Sequence, residues 1–397
     1  MRAYPGDNDL MKMHHVRRPI YIGSAAIGLF VAGYYLHAFV GRAKIPPPEK
    51  LLWHPSPVEV KPRWSIDVKE ETRWAGVAEN GDSVFWVEAK GRGGDAWLHH
   101  LVRGDPGRFQ PIVIERVSQC IAGSVREDVV AVGLHHPIDQ REGGSFSLAI
   151  IDVRRRRHIA RVPFDASVET VHLLSSNQVL VGYQRSGWST TGPHKVCLVE
   201  VSDSKPIRTE LADNMAFRAR HDPEMIGGRI YIGAAVDGSR IGISTWEDPK
   251  RVLEIWTTSP LKKLASITGS SSEASQEYSP VFTPDGNSVF WGSRLYHIDD
   301  DAKITSEEIV NTACGATSSR FLIPYGVVGY SNSGFGDCGL AVPGRRPFQL
   351  PVKSPDGWVF QQEFSTDGAF IATVTVERNR RLVDVWKTSD FIAKPVQ

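Results

Sequence analysis

Apolar residues along this chain come in short bursts divided by polar turns, and one phrase recurs: a short apolar strand, a polar turn, another short strand. The centres of seven such phrases fall at His100, Asp152, Glu200, Glu254, Ile298, Ala341 and Asp384, spaced by 52, 48, 54, 44, 43 and 43 residues. A period of about 40–50 residues, with room for four strands per unit, predicts the blades of a β-propeller. After residue 45 no run sustains a helical period, so the chain reads as all-β from there on.

The repeat is also written in the letters. Asn80–Trp86 (NGDSVFW) and Asp285–Trp291 (DGNSVFW) are one turn entering one strand, 205 residues apart. Leu253–Ser259 (LEIWTTS) matches Val383–Ser389 (VDVWKTS) at an offset of 130, and Val181–Trp188 matches Val328–Phe335 at 147. Asn-Gly and Asp-Gly supply the positive φ of tight hairpin turns, while Val, Ile, Phe and Trp suit a half-buried pleated surface. The segment Val58–Val68 is expected to close the ring beside Val385-Trp386, which removes an exposed sheet edge.

The N-terminus follows different physics. Pro19–Val40 runs 22 residues without Asp, Glu, Lys or Arg. As a helix it would reach roughly 33 Å, enough for the hydrocarbon core of a bilayer. A single transmembrane helix is therefore expected, with a cleaved signal peptide and a buried core helix as the competing readings. The expected organisation is a basic tail over 1–18, an anchor over 19–40, a Pro-rich tether over 41–61 and a seven-bladed β-propeller over 62–397. Gly23, Ser24, Gly28 and Ala32 form a small-residue face on which another membrane helix could pack. Arg2, Lys12, Arg17 and Arg18 before the span against Arg42, Lys44 and Lys50 after it place the propeller on the non-cytoplasmic side, periplasmic or equivalent.

Charge adds an exclusion. With 46 basic and 45 acidic residues there is no excess of the kind a dedicated nucleic-acid binder carries. Cys120, Cys197, Cys314 and Cys338 show no metal or haem spacing, and no cofactor or metal motif is read elsewhere. Cys314 is placed at the start of the first strand of blade six and Cys338 before its third, so a disulfide between them is open alongside four buried thiols. Adjacent strand residues face opposite ways, so His99-His100 is not expected to chelate one ion. His135-His136, with Asp139, Arg141 and Glu142, opens a loop that could hold a cation or simply be solvated.

Two surfaces stand out. Arg154, Arg155, Arg156 and Arg157 occupy the turn between the third and fourth strands of blade two, where they could meet anionic lipid or an acidic partner. Gln184–His194 and Ser331–Asp337 each carry an aromatic, Trp188 or Phe335, beyond a glycine, with Tyr183 and Tyr330 ending the strands before them. An exposed aromatic pair suits partner binding, and packing over the neighbouring blade is the alternative.

Phe364–Ala372 (FSTDGAFIA) followed by Leu382–Thr388 (LVDVWKT) resembles a WD-repeat blade, and Phe282–Phe290 (FTPDGNSVF) is similar. The motifs are clear in blades one, four, five and seven; the Gly-His dipeptides of strict WD repeats are absent, and a Tol-type bacterial propeller is equally similar. The resemblance implies a rigid toroidal platform for protein contacts, usually without catalysis. The expected function is thus a membrane-anchored scaffold or accessory subunit touching membrane lipids and the subunits of a membrane protein complex, with no nucleic acid. A quinoprotein- or lactonase-like enzyme and a ligand or glycan sensor are the rivals. Protease added to sealed vesicles of each orientation checks the topology: the propeller should be digested only from the non-cytoplasmic side.

Overall fold

The computed structural model describes residues 52–53, 61–69, 71–89, 95–103, 105, 111–116, 119–136, 146–184, 195–202, 205–213, 230–247, 250–269, 279–283, 285–291, 294–299, 303–308, 321–322, 327–331, 338–341, 348–349, 358–377 and 380–393. They form seven four-stranded antiparallel sheets and one two-stranded sheet. In chain order the blades span residues 72–116, 119–164, 167–213, 231–269, 281–308, 321–349 and 358–387. All seven phrase centres of the sequence fall on third strands: Asp95–Val102, Phe146–Asp152, Lys195–Ser202, Lys250–Thr258, Arg294–Ile298, Cys338–Ala341 and Arg380–Lys387. Third strands carry the clearest phrase because they lie inside the sheet, paired on both edges, where apolar side chains are needed on both faces.

The last blade has only three strands of its own, Trp358–Phe364, Phe370–Glu377 and Arg380–Lys387. Its fourth is Trp64–Val68 from the start of the propeller, in register from Trp64↔Val385 to Val68↔Arg381. Ring closure by this segment is as expected, the described strand being Trp64–Val68. The closing pair is locked by a buried carboxylate: Asp384 accepts from the Ser65 hydroxyl at 2.5 Å and the Thr375 hydroxyl at 3.0 Å. A second tie joins the same chain ends, Leu52–Trp53 pairing with Ile392–Ala393.

Within a blade, one turn recurs between first and second strands. Gly81, Gly238, Gly286 and Gly368 have φ of 67°, 75°, 70° and 72°. Each glycine amide donates to the carbonyl three residues earlier, at 2.8–3.0 Å in all four turns. The preceding side chain caps the turn: Asn80, Asp237, Asp285 and Asp367 accept from the amide two residues on. The end of the third strand then bonds back to this turn in six blades, through Arg103→Asp82, Val153→Asp128, Val201→Asn177, Thr258→Ser239, Ile298→Asn287 and Thr388→Ala369. In blades four and seven the threonine hydroxyl adds a bond to the turn glycine, Thr258 to Gly238 at 2.7 Å and Thr388 to Gly368 at 2.9 Å. This is the physical content of the LEIWTTS and VDVWKTS match.

Blades meet through apolar faces. Trp74, fully buried in blade one, packs in one cluster with Val125, Val130 and Val132 of blade two. Val168 and Val171 of blade three join Ala131 and Leu148 of blade two in another. Between blades seven and one, Val374 and Val383 share a cluster with Ala75 and Val77. The span Pro19–Val40, with Gly23, Ser24, Gly28 and Ala32, lies outside the described residues; among the described residues no helix is long and apolar enough to cross a membrane.

Two of the turn glycines differ in their surroundings. A Cβ on Gly238 would lie 2.1 Å from the Leu174 carbonyl oxygen of blade three, whereas one on Gly286 meets nothing closer than 3.4 Å. Both would sit at positive φ, a cost of roughly 1 kcal/mol for alanine. Gly286→Ala should therefore cost about that, and Gly238→Ala at least about 2 kcal/mol because backbone must move as well. Chemical-denaturation midpoints of the two variants check the order.

Candidate interaction face

Antiparallel strands alternate in direction, so the turns after the first and third strands share one face of the ring, and the loops after the second and fourth share the other. The six backbone bonds from third-strand ends to first turns confirm the pairing in this molecule. On the first face, blade two presents the Arg154–Arg157 turn, whose four arginines are all exposed. The turn is built, not loose. Asp152 accepts from the Arg155 amide at 2.8 Å, and the Arg156 amide donates to the Val153 carbonyl at 3.2 Å. Arg154 lies 3.7 Å from the exposed Asp128, and Arg155, itself exposed, 3.5 Å from the largely buried Asp152. Such pairs contribute about 0–1 kcal/mol, so these arginines are not needed for the fold. Arg156 itself has φ 54°, a left-handed conformation that four other turns of the same ring give to glycine.

The ring closure brings the chain onto this same face. The Trp64 indole donates to the Gly81 carbonyl at 3.2 Å, and Arg63 pairs with Asp82 at 2.9 Å, both in the first turn of blade one. Across the axis, Arg126 of blade two donates to the Val236 carbonyl of blade four at 2.9 Å, and Thr366 of blade seven to the Val125 carbonyl at 2.8 Å. Neither pair joins adjacent blades, so these bonds reach past a neighbour near the mouth of the ring.

The opposite face carries the two aromatic loops, since they connect second to third strands. Their roots are described, the loops are not: Trp188 and Phe335 lie outside the described residues. Tyr330 stands in the strand Val327–Ser331, paired with Gly339. Tyr183 is corrected from a contact residue to an interior one, at 1% exposure. Its hydroxyl donates to Glu210 at 2.7 Å and receives a bond from Arg208, whose guanidinium lies over the Phe164 and Tyr183 rings, 4.5 and 4.6 Å from their centres. Burial, then the bond to Glu210, raises the phenol's pKa. The cluster joins blades two and three and anchors the root of the Gln184–His194 loop. In-strand alternation alone does not tell which face of a blade an aromatic takes.

The remaining candidates take structural places. Cys120 and Cys197 are buried free thiols, and burial pushes Cys197 up to about 12. Cys314 lies outside the described residues; the described first strand of blade six begins later, at Phe321, while Cys338 opens the third strand as Cys338–Ala341. His135 stacks on Phe146 at 4.6 Å, and His136 is buried with Nε2 2.8 Å from the Ser147 hydroxyl and 3.0 Å from Arg161, while Asp139, Arg141 and Glu142 lie outside the described residues. Among the described residues no group of His, Cys, Asp and Glu is placed to hold a metal ion. His99 and His100 do face opposite ways. His99 stacks on Trp86 at 4.9 Å with Nε2 3.1 Å from the buried Glu88, and His100 stacks on Phe85 at 4.4 Å.

Comparison with known proteins gives the fold a context. No protein-family model matches the chain, and no curated sequence does. The β-propeller domain of Cps50 (Swd1) from Myceliophteria thermophila is similar at 12% identity and a TM-score of 0.54, over 82% of this chain and 99% of that one. A chain of the mitotic checkpoint complex (13% identity, TM-score 0.48, 87% and 98% covered) and one of Kuenenia stuttgartiensis hydrazine synthase (12%, 0.48, 81% and 97%) are similar to a lesser degree. At 12% identity the likeness to the Cps50 (Swd1) domain is one of fold: an all-β propeller.

Burial lowers the His100 pKa from its ordinary 6.5 to about 4. The unfolded chain takes a proton at this imidazole as pH falls through 6.5, while the folded chain does so only near 4. Stability from this group is therefore full above pH 6.5 and is lost between 6.5 and 4. His100→Phe, if it keeps the stack on Phe85, should flatten the acid side of a plot of unfolding midpoint against pH in that window.

Proposed function

We propose that this protein is a membrane-anchored β-propeller acting as a protein-binding scaffold or accessory subunit of a membrane protein complex. The observation that carries the reading is the closed ring with two chemically different faces. Closure by Trp64–Val68 removes the sheet edge that would otherwise pair with other chains, so the turns and loops of the two faces are the surfaces left for recognition. One face holds the exposed arginine turn of blade two; the other roots the paired loops Gln184–His194 and Ser331–Asp337, with the same phrase in each. The apolar run Pro19–Val40 supports the anchor.

In this reading Trp188 and Phe335 are the partner-binding anchors, Tyr183 with Tyr330 bracing the strands beneath them. Interface energy concentrates in a few aromatic or arginine side chains, so each Ala replacement should weaken partner retention by about 1–3 kcal/mol. The check is co-purification of native partners in mild detergent with Trp188→Ala, Phe335→Ala and the double variant, alongside a melting curve. A folded double variant that retains its partners in full would show the aromatic face to be wrong.

A further inference from the structure

We propose that the arc of turns between third and fourth strands in blades two to four docks the ring face-on against an anionic lipid surface. The proposal rests on the reading of Pro19–Val40 as an anchor and adds to it an orientation and a lipid chemistry. Its first support is where the chain comes in. Arg63 and Trp64 meet the first turn of blade one, on the arginine face, and Leu52–Trp53 pairs with Ile392–Ala393, which follows Thr388 on that same face. Only residues 41–51 separate Val40 from this second tie. Even fully extended at ~3.3–3.6 Å per residue, they reach at most about 36–40 Å. The chain thus enters the propeller on the face that carries the arginine turn.

Charge is the second support. Blade two offers Arg154, Arg155, Arg156 and Arg157; the next two blades add Lys205 and Lys262, both exposed, and Lys263, which pairs with Glu254. The acids of the same blades and face are Asp152, Glu127, Asp128, Asp237 and, in the sequence between the third and fourth strands of blade three, Asp203. Asp152 and Asp237 cap turn amides, and Asp128 faces Arg154. Glu127 and Asp128 sit with Asp237 in first turns, which lie nearer the axis, so on the outer rim the four arginines and Lys205, Lys262 and Lys263 outnumber Asp152 and Asp203. Ile207, 56% exposed, projects from the start of the fourth strand of blade three on that rim, an apolar tip among cations. Anionic headgroups attract such groups within a Debye length, at a factor of about five per cation.

The third support is Arg156. Its left-handed backbone is a place where glycine costs nothing and arginine is strained, yet arginine stands there. Arg156→Gly therefore removes a cation while relieving the backbone, and a loss of lipid contact in that variant is not a loss of fold.

The full-length chain is mixed with vesicles of phosphatidylcholine alone or with phosphatidylserine added, at low and high salt, and followed by flotation and amide exchange. The proposal expects flotation with both vesicles, but protection of the 153–157 and 259–263 turns only with phosphatidylserine and only at low salt. Arg156→Gly with Arg157→Gln should lower that protection about 25-fold, at about fivefold per cation. Flotation with both vesicles and no protection of these turns overturns the docking face while the anchor stands. Flotation with phosphatidylserine alone, abolished by the double variant, keeps the lipid face and removes the anchor; flotation with neither removes both. Protection that comes only from a co-purifying acidic protein overturns the lipid assignment.

Discussion

Everything in this fold depends on the ladder between Trp64–Val68 and Arg381–Val385. A propeller is a circle of sheets in which each blade buries its faces on its two neighbours, so an open ring leaves two apolar faces wet. Here blade seven lacks a strand until the N-terminal segment supplies it, more than three hundred residues away in sequence. Loop closure over so long a distance is entropically costly, and it is offset only when the whole ring forms. The buried Asp384 makes the closing pair specific: a register slip would leave its carboxylate without the Ser65 hydroxyl in the interior.

Once the ring is closed, the repeated turn determines what the faces display. A glycine at positive φ, a capping Asp or Asn and a return bond from the third strand make the inner turns short and nearly identical. Short inner turns leave the turns after third strands free to vary, and that is where Arg154–Arg157 stands. The strands Gln178–Gln184 and Val327–Ser331, which precede the two aromatic segments of the sequence, end towards the other face.

Much of this was legible from residues alone. The seven centres landed on third strands because those strands are paired on both sides and need apolar residues throughout. The turns in blades one, four, five and seven could be read because only Gly, Asn and Asp satisfy them cheaply. Blade two hid its first turn: Glu127 takes φ 51° where glycine would have announced it. The candidate site was less legible. Alternation does not say which way Tyr183 points, and the contact between Phe164, Tyr183 and Arg208 joins two blades across a sequence gap that no local pattern encodes. Nor does a run of four arginines show by itself that the third of them sits in a strained turn.

The same closing strand also has a mechanical meaning. Any pull on the segment before Lys61 is delivered along the axis of Trp64–Val68, which runs antiparallel beside Arg380–Lys387. Loaded that way, the rungs of the ladder share the force in shear instead of opening one after another. The shorter Leu52–Trp53 pair lies upstream and would yield first, as a sacrificial link. Tension at the N-terminus would thus test the latch of the ring before it reached any blade interface.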